Sequence, residues 1–128
     1  LIQHESPTIN GTGENSRDFT YIDNVIQMNE LALLTQDPRA VNTVYNTAVG
    51  DRTNLNELVT YIKEFLSTYD PQIACLEIKY GPNRVGDIPH SLASVEKAKQ
   101  LLGYQPTHAI REGLQEAVRW YWDHKEML

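Results

Sequence analysis

Gly11-Thr12-Gly13-Glu14-Asn15-Ser16-Arg17-Asp18-Phe19-Thr20-Tyr21-Ile22-Asp23-Asn24 joins a glycine turn, an arginine beside an aromatic, and an acid–amide pair that starts a helix. An arginine delivered this way suits a phosphate, because its planar guanidinium gives two parallel charge-assisted hydrogen bonds to one anion. The glycines are read first as a tight turn needing positive φ. Asp18 can pair with Arg17, and a solvated surface pair stays open as the plainer reading. A second arginine turn follows at Arg84-Val85-Gly86-Asp87. There Arg84 can address phosphate oxygens while the ionised Asp87, acceptor-only, suits a sugar diol. The plainer reading of that turn is an aspartate capping its own backbone. Two arginine loops in an acidic chain point to a specific anionic ligand rather than to a general basic surface.

Outward from this stretch the pattern alternates between extended and helical. Thr8-Ile9-Asn10 is extended and Gly11–Gly13 turns. Phe19–Ile22 suits a short strand, and Asp23 or Asn24 caps a helix to about Thr35 with Val25, Met28, Leu31, Ala32 and Leu34 inward. Residues 41–48 read as a strand closed by Gly50. Asn54 and Glu57 form a capping box ahead of the clearest apolar stripe: Leu55, Leu58, Val59, Ile62, Phe65, Leu66 and Tyr69. Pro71 ends that helix, and Ala74–Tyr80 reads as a strand. Ser94 can cap a helix from Val95 to Leu102, with Gly103 just past its end. Thr107 can cap a last helix from about Ala109 to Glu126, burying Ile110, Leu114, Ala117, Val118 and Tyr121. Alternating strands and helices make the class α/β, with four main helices and a few short strands. The strands are too few for a free-standing sheet. Leu1–Glu5 reads as the last turn of a helix whose start is missing, so a fragment of a longer protein is expected.

The chain has 128 residues, 41% hydrophobic and 22% charged, enough for one domain. A net charge of −6 argues against nucleic acid, whose backbone is bound by clustered Lys and Arg. No apolar run reaches the ~18–20 residues of a membrane span. Cys75 is the only cysteine; its apolar neighbours predict a buried, inert thiol. These features fit a cytoplasmic protein.

Gly11-Thr12-Gly13 lacks the third glycine of a dinucleotide fingerprint. His4, His108 and His124 are far apart and no metal spacing occurs. His90-Ser91 could reach a sugar substituent, although a histidine beside a proline is more often a packed loop residue. Trp120, Tyr121 and Trp122 are assigned to core and interface. No nucleophile elbow or Ser/His/Asp set is present. On residues alone the chain is a binding part without a chemical part.

The runs PTINGTGENSRDFTYIDN, VYNTAVGDRTNLNEL, RVGDIPHSLASVEKAKQLLGYQP and GLQEAVRWYW, in that order, closely resemble the C-terminal part of extended short-chain dehydrogenase/reductases acting on nucleotide sugars. Within these the chain is most similar to bacterial UDP-N-acetylglucosamine and UDP-glucose 4-epimerases. The resemblance implies that residues 1–128 are a C-terminal UDP-sugar-binding region, with the N-terminal Rossmann core that holds NAD lying outside them. It implies that Arg17 contacts the pyrophosphate with Phe19 behind it, that Arg84 contacts phosphate, and that Asp87 contacts the uridine ribose. Thr8, Ile9 and Asn10 match the segment beside the uracil, Asn46 ends a strand that docks on the cofactor sheet, and Ser91 matches a position near the sugar. The implied reaction oxidises and re-reduces C4 through NAD, with a catalytic Tyr-x-x-x-Lys expected upstream of Leu1. Tyr121 and Lys125 have that spacing but fall inside the family's terminal helix motif, a coincidence. A homodimer is implied for the full-length protein, and no catalysis for this fragment alone. The alternatives are a sugar-nucleotide 4,6-dehydratase or decarboxylase of the same superfamily, and a stand-alone nucleotide-binding module. Decarboxylases usually continue differently after the second arginine, where this chain has Asp87-Ile88-Pro89-His90-Ser91; that favours the epimerase.

Overall fold

A computed structural model describes residues 1–127. It separates into two compact units: residues 1–16, 53–90 and 114–127 form the first, residues 17–52 and 91–113 the second.

In the first unit, β1 (Thr8–Asn10) and β4 (Lys79–Gly81) pair in parallel, with Ile9 opposite Tyr80. The Lys79 N–H on the Pro7 carbonyl (2.9 Å) and the Gly11 N–H on the Gly81 carbonyl (3.0 Å) extend the pairing at both ends. The parallel pair needs a crossover, which α2 (Leu55–Ser67) supplies after the two-residue strand β3 (Thr53–Asn54). β3 pairs with β2 (Ser16–Arg17). The capping box forms as expected: Asn54 Oδ1 accepts the Glu57 N–H at 2.8 Å, and Glu57 Oε2 accepts the Asn54 N–H at 3.0 Å. The apolar stripe of α2 then buries Leu66 with Ile73 and Val118, flanked by Leu1, Ile2, Ile62, Phe65, Leu76 and Trp122.

Four expectations for this unit change. Leu1–Glu5 forms a single turn closed by the His4 N–H on the Leu1 carbonyl, not a helix. The expected strand from Ala74 shrinks to β4, because Asp70 accepts the Gln72 N–H and starts a 3₁₀ turn over Pro71–Cys75. With about three residues per turn, Ile73 and Leu76 face inward together. Cys75 is therefore exposed, not buried. Of the terminal aromatics only Trp122 joins the core, stacked on Tyr69; Trp120 and Tyr121 are about half exposed (52% and 48%).

In the second unit, α1 (Ile22–Leu34) and α3 (Glu96–Leu102) pack around Met28, Ala40, Ala48, Val95, Ala98, Leu102 and Tyr104. Gly103 takes the left-handed conformation that ends α3 (φ 68°), as read from the sequence. Phe19–Ile22 is not a strand: α1 already begins at Ile22, with Tyr21 as its N-cap and no capping side chain. Asn24 does not cap it either, being wholly buried and bonded to residues 107 and 108. Leu34 faces outward (70% exposed) rather than in. Residues 41–48 are not a strand. Lys97 donates to the Val44 carbonyl and Thr43 hydroxyl, and the Asn46 side chain donates outward to the Ser94 carbonyl. Val95 stands at the N-cap of α3, where Ser94 was expected. The last helix, α4 (Ile110–Asp123), starts in the second unit and continues in the first. Among the described residues no helix is long and apolar enough to cross a membrane.

Candidate functional site

The glycine turn has a structural task in the first unit. Its backbone enters the left-handed region at Gly11 (φ 79°) and Gly13 (φ 80°), which favours glycine. The Gly13 carbonyl accepts the N–H groups of Leu55 (3.0 Å) and Asn56 (3.2 Å), and the Asn15 carbonyl also accepts from Leu55 (3.2 Å). These are orphan donors at the start of α2. A Cβ on Gly13 would lie 2.1 Å from Asn56 Oδ1. The turn thus presents carbonyls to a helix start, the reverse of a phosphate cradle, which needs N–H groups aimed at the anion.

The second arginine loop is a real turn. The Asp87 N–H reaches the Arg84 carbonyl at 3.2 Å, with Gly86 at φ 79°. Arg84 Nη2 stands 3.7 Å from Asp87 Oδ1, too long for a good hydrogen bond, and the arginine side chain is 69% exposed against 15% for the aspartate. The guanidinium therefore keeps most of its donors toward solvent while the carboxylate is held inward. Asn15 Nδ2 donates to Asp87 Oδ2 at 2.9 Å. Beyond it Ser16 fastens the same loop, its N–H on the Pro89 carbonyl and its Oγ 2.9 Å from His90 Nδ1. Ser16 is buried, so this Ser–His pair is a clasp rather than an exposed nucleophile. On β1, Ile9 is buried while Thr8 and Asn10 are exposed, the alternation of a strand edge.

In the second unit Arg17 and Phe19 are half-buried and Ser91 is exposed. Asp18 spends its carboxylate on backbone: Oδ1 accepts the Val49 N–H and Oδ2 the Gly50 N–H, each at 3.1 Å. These charge-assisted bonds fix the backbone between Arg17 and Phe19. Asn46, expected to end a strand, instead anchors residues 41–48 to the Ser94 carbonyl.

Sequence reading missed the contacts that span the chain: Asn15 with Asp87, Ser16 with His90, and His4 with Asp70 at 2.8 Å. The Asp70 carboxyl is held below its usual range, first by the Gln72 N–H and then, against the effect of burial, by His4. Lys125, in the 3₁₀ turn past the last helix, lies over the Trp122 ring at 4.1 Å.

Residues 1–117 match the family model described as GDP-mannose 4,6 dehydratase. A putative UDP-glucose 4-epimerase of Methanocaldococcus jannaschii is 29% identical over 94% of this chain and 35% of its own. The UDP-glucose 4-epimerase of Thermotoga maritima, solved with UDP-glucose, is 34% identical with a TM-score of 0.81, covering 99% of this chain and 37% of that one. The UDP-N-acetylglucosamine 4-epimerase of Methanobrevibacter ruminantium, solved with UDP-N-acetylmuramic acid, is 32% identical with a TM-score of 0.81 over 96% and 36%. Further similar structures, 25% and 26% identical, were solved with NAD and UDP-glucuronic acid. The chain spans about a third of the length of the curated relatives it matches.

Proposed function

From a chain that belongs to the GDP-mannose 4,6 dehydratase family, we propose a part in a UDP-sugar 4-epimerase: residues 1–128 hold the UDP moiety of a UDP-hexose or UDP-N-acetylhexosamine. The observation that carries this reading is the end-to-end similarity to epimerases solved with UDP-sugars, 34% identical over 99% of the chain. Within the first unit the Arg84–Asp87 turn supports it: an exposed guanidinium beside a carboxylate held by an amide offers donors for a phosphate and acceptors for a diol.

In this reading Arg84 binds phosphate, Asp87 binds a ribose hydroxyl, and Thr8, Ile9 and Asn10 lie along the uracil. Arg17, backed by Phe19 and fixed through Asp18, binds the pyrophosphate, and Ser91 lies toward the sugar. NAD is the cofactor of solved relatives, and its binding is assigned outside these residues, as is the acid–base pair. The chain's own residues bind and orient the substrate. The homodimer and the cytoplasmic location implied by the resemblance belong to the same reading.

The test is an assay of the intact protein that carries this chain, offered UDP-glucose and UDP-N-acetylglucosamine and followed by chromatography. Interconversion with the C4 epimer, with no net loss of water or carbon dioxide, is expected. A 4-keto-6-deoxy product would move the assignment to a dehydratase, and loss of carbon dioxide from a UDP-hexuronic acid to a decarboxylase.

A further inference from the structure

We infer that Asn15 is a positioning residue for Asp87, setting the carboxylate that meets the ribose; the inference rests on the UDP-sugar reading above. Asn15 lies on the segment between the glycine turn and β2, and Asp87 lies 72 positions later. Four observations in the first unit bear on the pair.

The Asn15 backbone is itself anchored, since its carbonyl accepts the Leu55 N–H at the start of α2. Its side chain is half-buried and donates from Nδ2 to Asp87 Oδ2 at 2.9 Å. Its neighbour Ser16 holds the end of the same loop through the Pro89 carbonyl and the His90 ring. Arg84, the charged residue of the turn, stands 3.7 Å from Asp87 Oδ1 and therefore orients the carboxylate less tightly than Asn15 does.

The chemistry of the pair follows from the donor and acceptor inventory. An ionised carboxylate has about four lone-pair sites on its two oxygens. The Asn15 amide supplies one donor to this group, at Oδ2. The amide restricts rotation of the carboxylate about χ2, a broad torsion in an unrestrained aspartate. An amide donor is also neutral, so this bond adds no positive charge at the carboxylate. A lysine or arginine in its place would compete with the ligand for the charge. Ser16 performs a different task, because its bonds fix where the loop ends, whereas Asn15 fixes how one side chain within it points.

The experiment titrates UDP and 2′,3′-dideoxy-UDP into the intact protein and its Asn15→Ala variant. Wild type is expected to bind UDP more tightly than the dideoxy compound. Asn15→Ala is expected to weaken UDP by about tenfold, the lower end for a lost hydrogen bond to a charged group, and to leave the dideoxy compound within about twofold. In turnover the same variant raises KM with kcat unchanged, since the lost contact is remote from C4. Asn15→Leu, close in volume and lacking the donor, gives the same pattern and serves if the alanine variant does not fold. Equal weakening of both nucleotides would show that Asn15 only braces the loop, and would overturn the inference while leaving the UDP-sugar reading intact. If wild type binds the two nucleotides equally, or neither, the ribose contact of Asp87 is wrong and the inference falls with it.

Discussion

Asn24→Ala is expected to lower the stability of the folded protein by about 3–4 kcal/mol, the range reached when several buried polar groups lose their partners together. Asn24 is wholly buried on the first turn of α1. Its Oδ1 accepts the N–H groups of Thr107 (2.8 Å) and His108 (3.2 Å) and the Thr107 hydroxyl (3.3 Å). Its Nδ2 donates to the His108 carbonyl at 2.7 Å. One side chain thus satisfies the backbone of a segment that has no helix or sheet partner there. Alanine would leave two N–H groups and a carbonyl without this partner. Asn24→Asp keeps the acceptors but sets a carboxylate against the His108 carbonyl, and is expected to fall between alanine and wild type. Urea unfolding checks both, through a lower midpoint at unchanged slope. A change below about 1 kcal/mol for the alanine variant would mean that the Thr107–His108 backbone finds other partners.

Tyr104→Ala is expected to cost about 4 kcal/mol, within the range for large-to-small changes at a core aromatic. The ring is fully buried among Met28, Ala48, Val95 and Leu102, and its hydroxyl donates to the Ala48 carbonyl at 2.8 Å. Tyr104→Phe keeps the ring and loses only the bond, and is expected to cost about 1 kcal/mol. The pair of variants separates packing from hydrogen bonding. The hydroxyl also carries a pH signature. Burial first, then the nearby Asp18 charge, raises the pKa of Tyr104 above its ordinary 10.0. The folded state then holds this proton more firmly than the unfolded state does. Its contribution is complete below pH 10 and is lost as pH rises from there through the folded-state pKa. Wild type should lose stability across that alkaline window more steeply than Tyr104→Phe. Equal slopes would show that Tyr104 titrates as it does in the unfolded chain.

What could be read in the sequence was mostly local. The Asn54–Glu57 capping box, the left-handed Gly103 and the extended Thr8–Asn10 follow from residues within a few positions of one another. Residues 41–48 failed as a strand because β-forming side chains do not supply a ladder; Lys97 meets the Val44 carbonyl instead, and the Asn46 side chain ties the segment to the Ser94 carbonyl. Asn24 was misassigned because an asparagine at a helix start fits a cap and a buried bridge equally well, and its partners lie more than eighty residues away. Cys75 surfaced because a 3₁₀ turn follows a different period from a strand.

The candidate binding residues divided the same way. Arg84 and Asp87 were recognisable because three positions and a glycine make a turn, and that turn forms. Asn15 and Ser16 carried no signal, although they stood inside the most informative stretch, because their partners are 72 and 74 positions away. The glycines of that stretch serve to start α2 rather than to hold an anion.

Calorimetric titration of UDP into the intact protein, wild type against Arg84→Ala, tests the central claim most directly. Arg84 is exposed and its loop is braced by Asn15 and Ser16, so the substitution should leave the fold unchanged. Wild type should bind UDP, and the variant should bind it at least about tenfold more weakly, as expected for a lost charge-assisted contact to phosphate. Undiminished UDP affinity in a folded Arg84→Ala variant, or no UDP binding by wild type, would contradict the assignment.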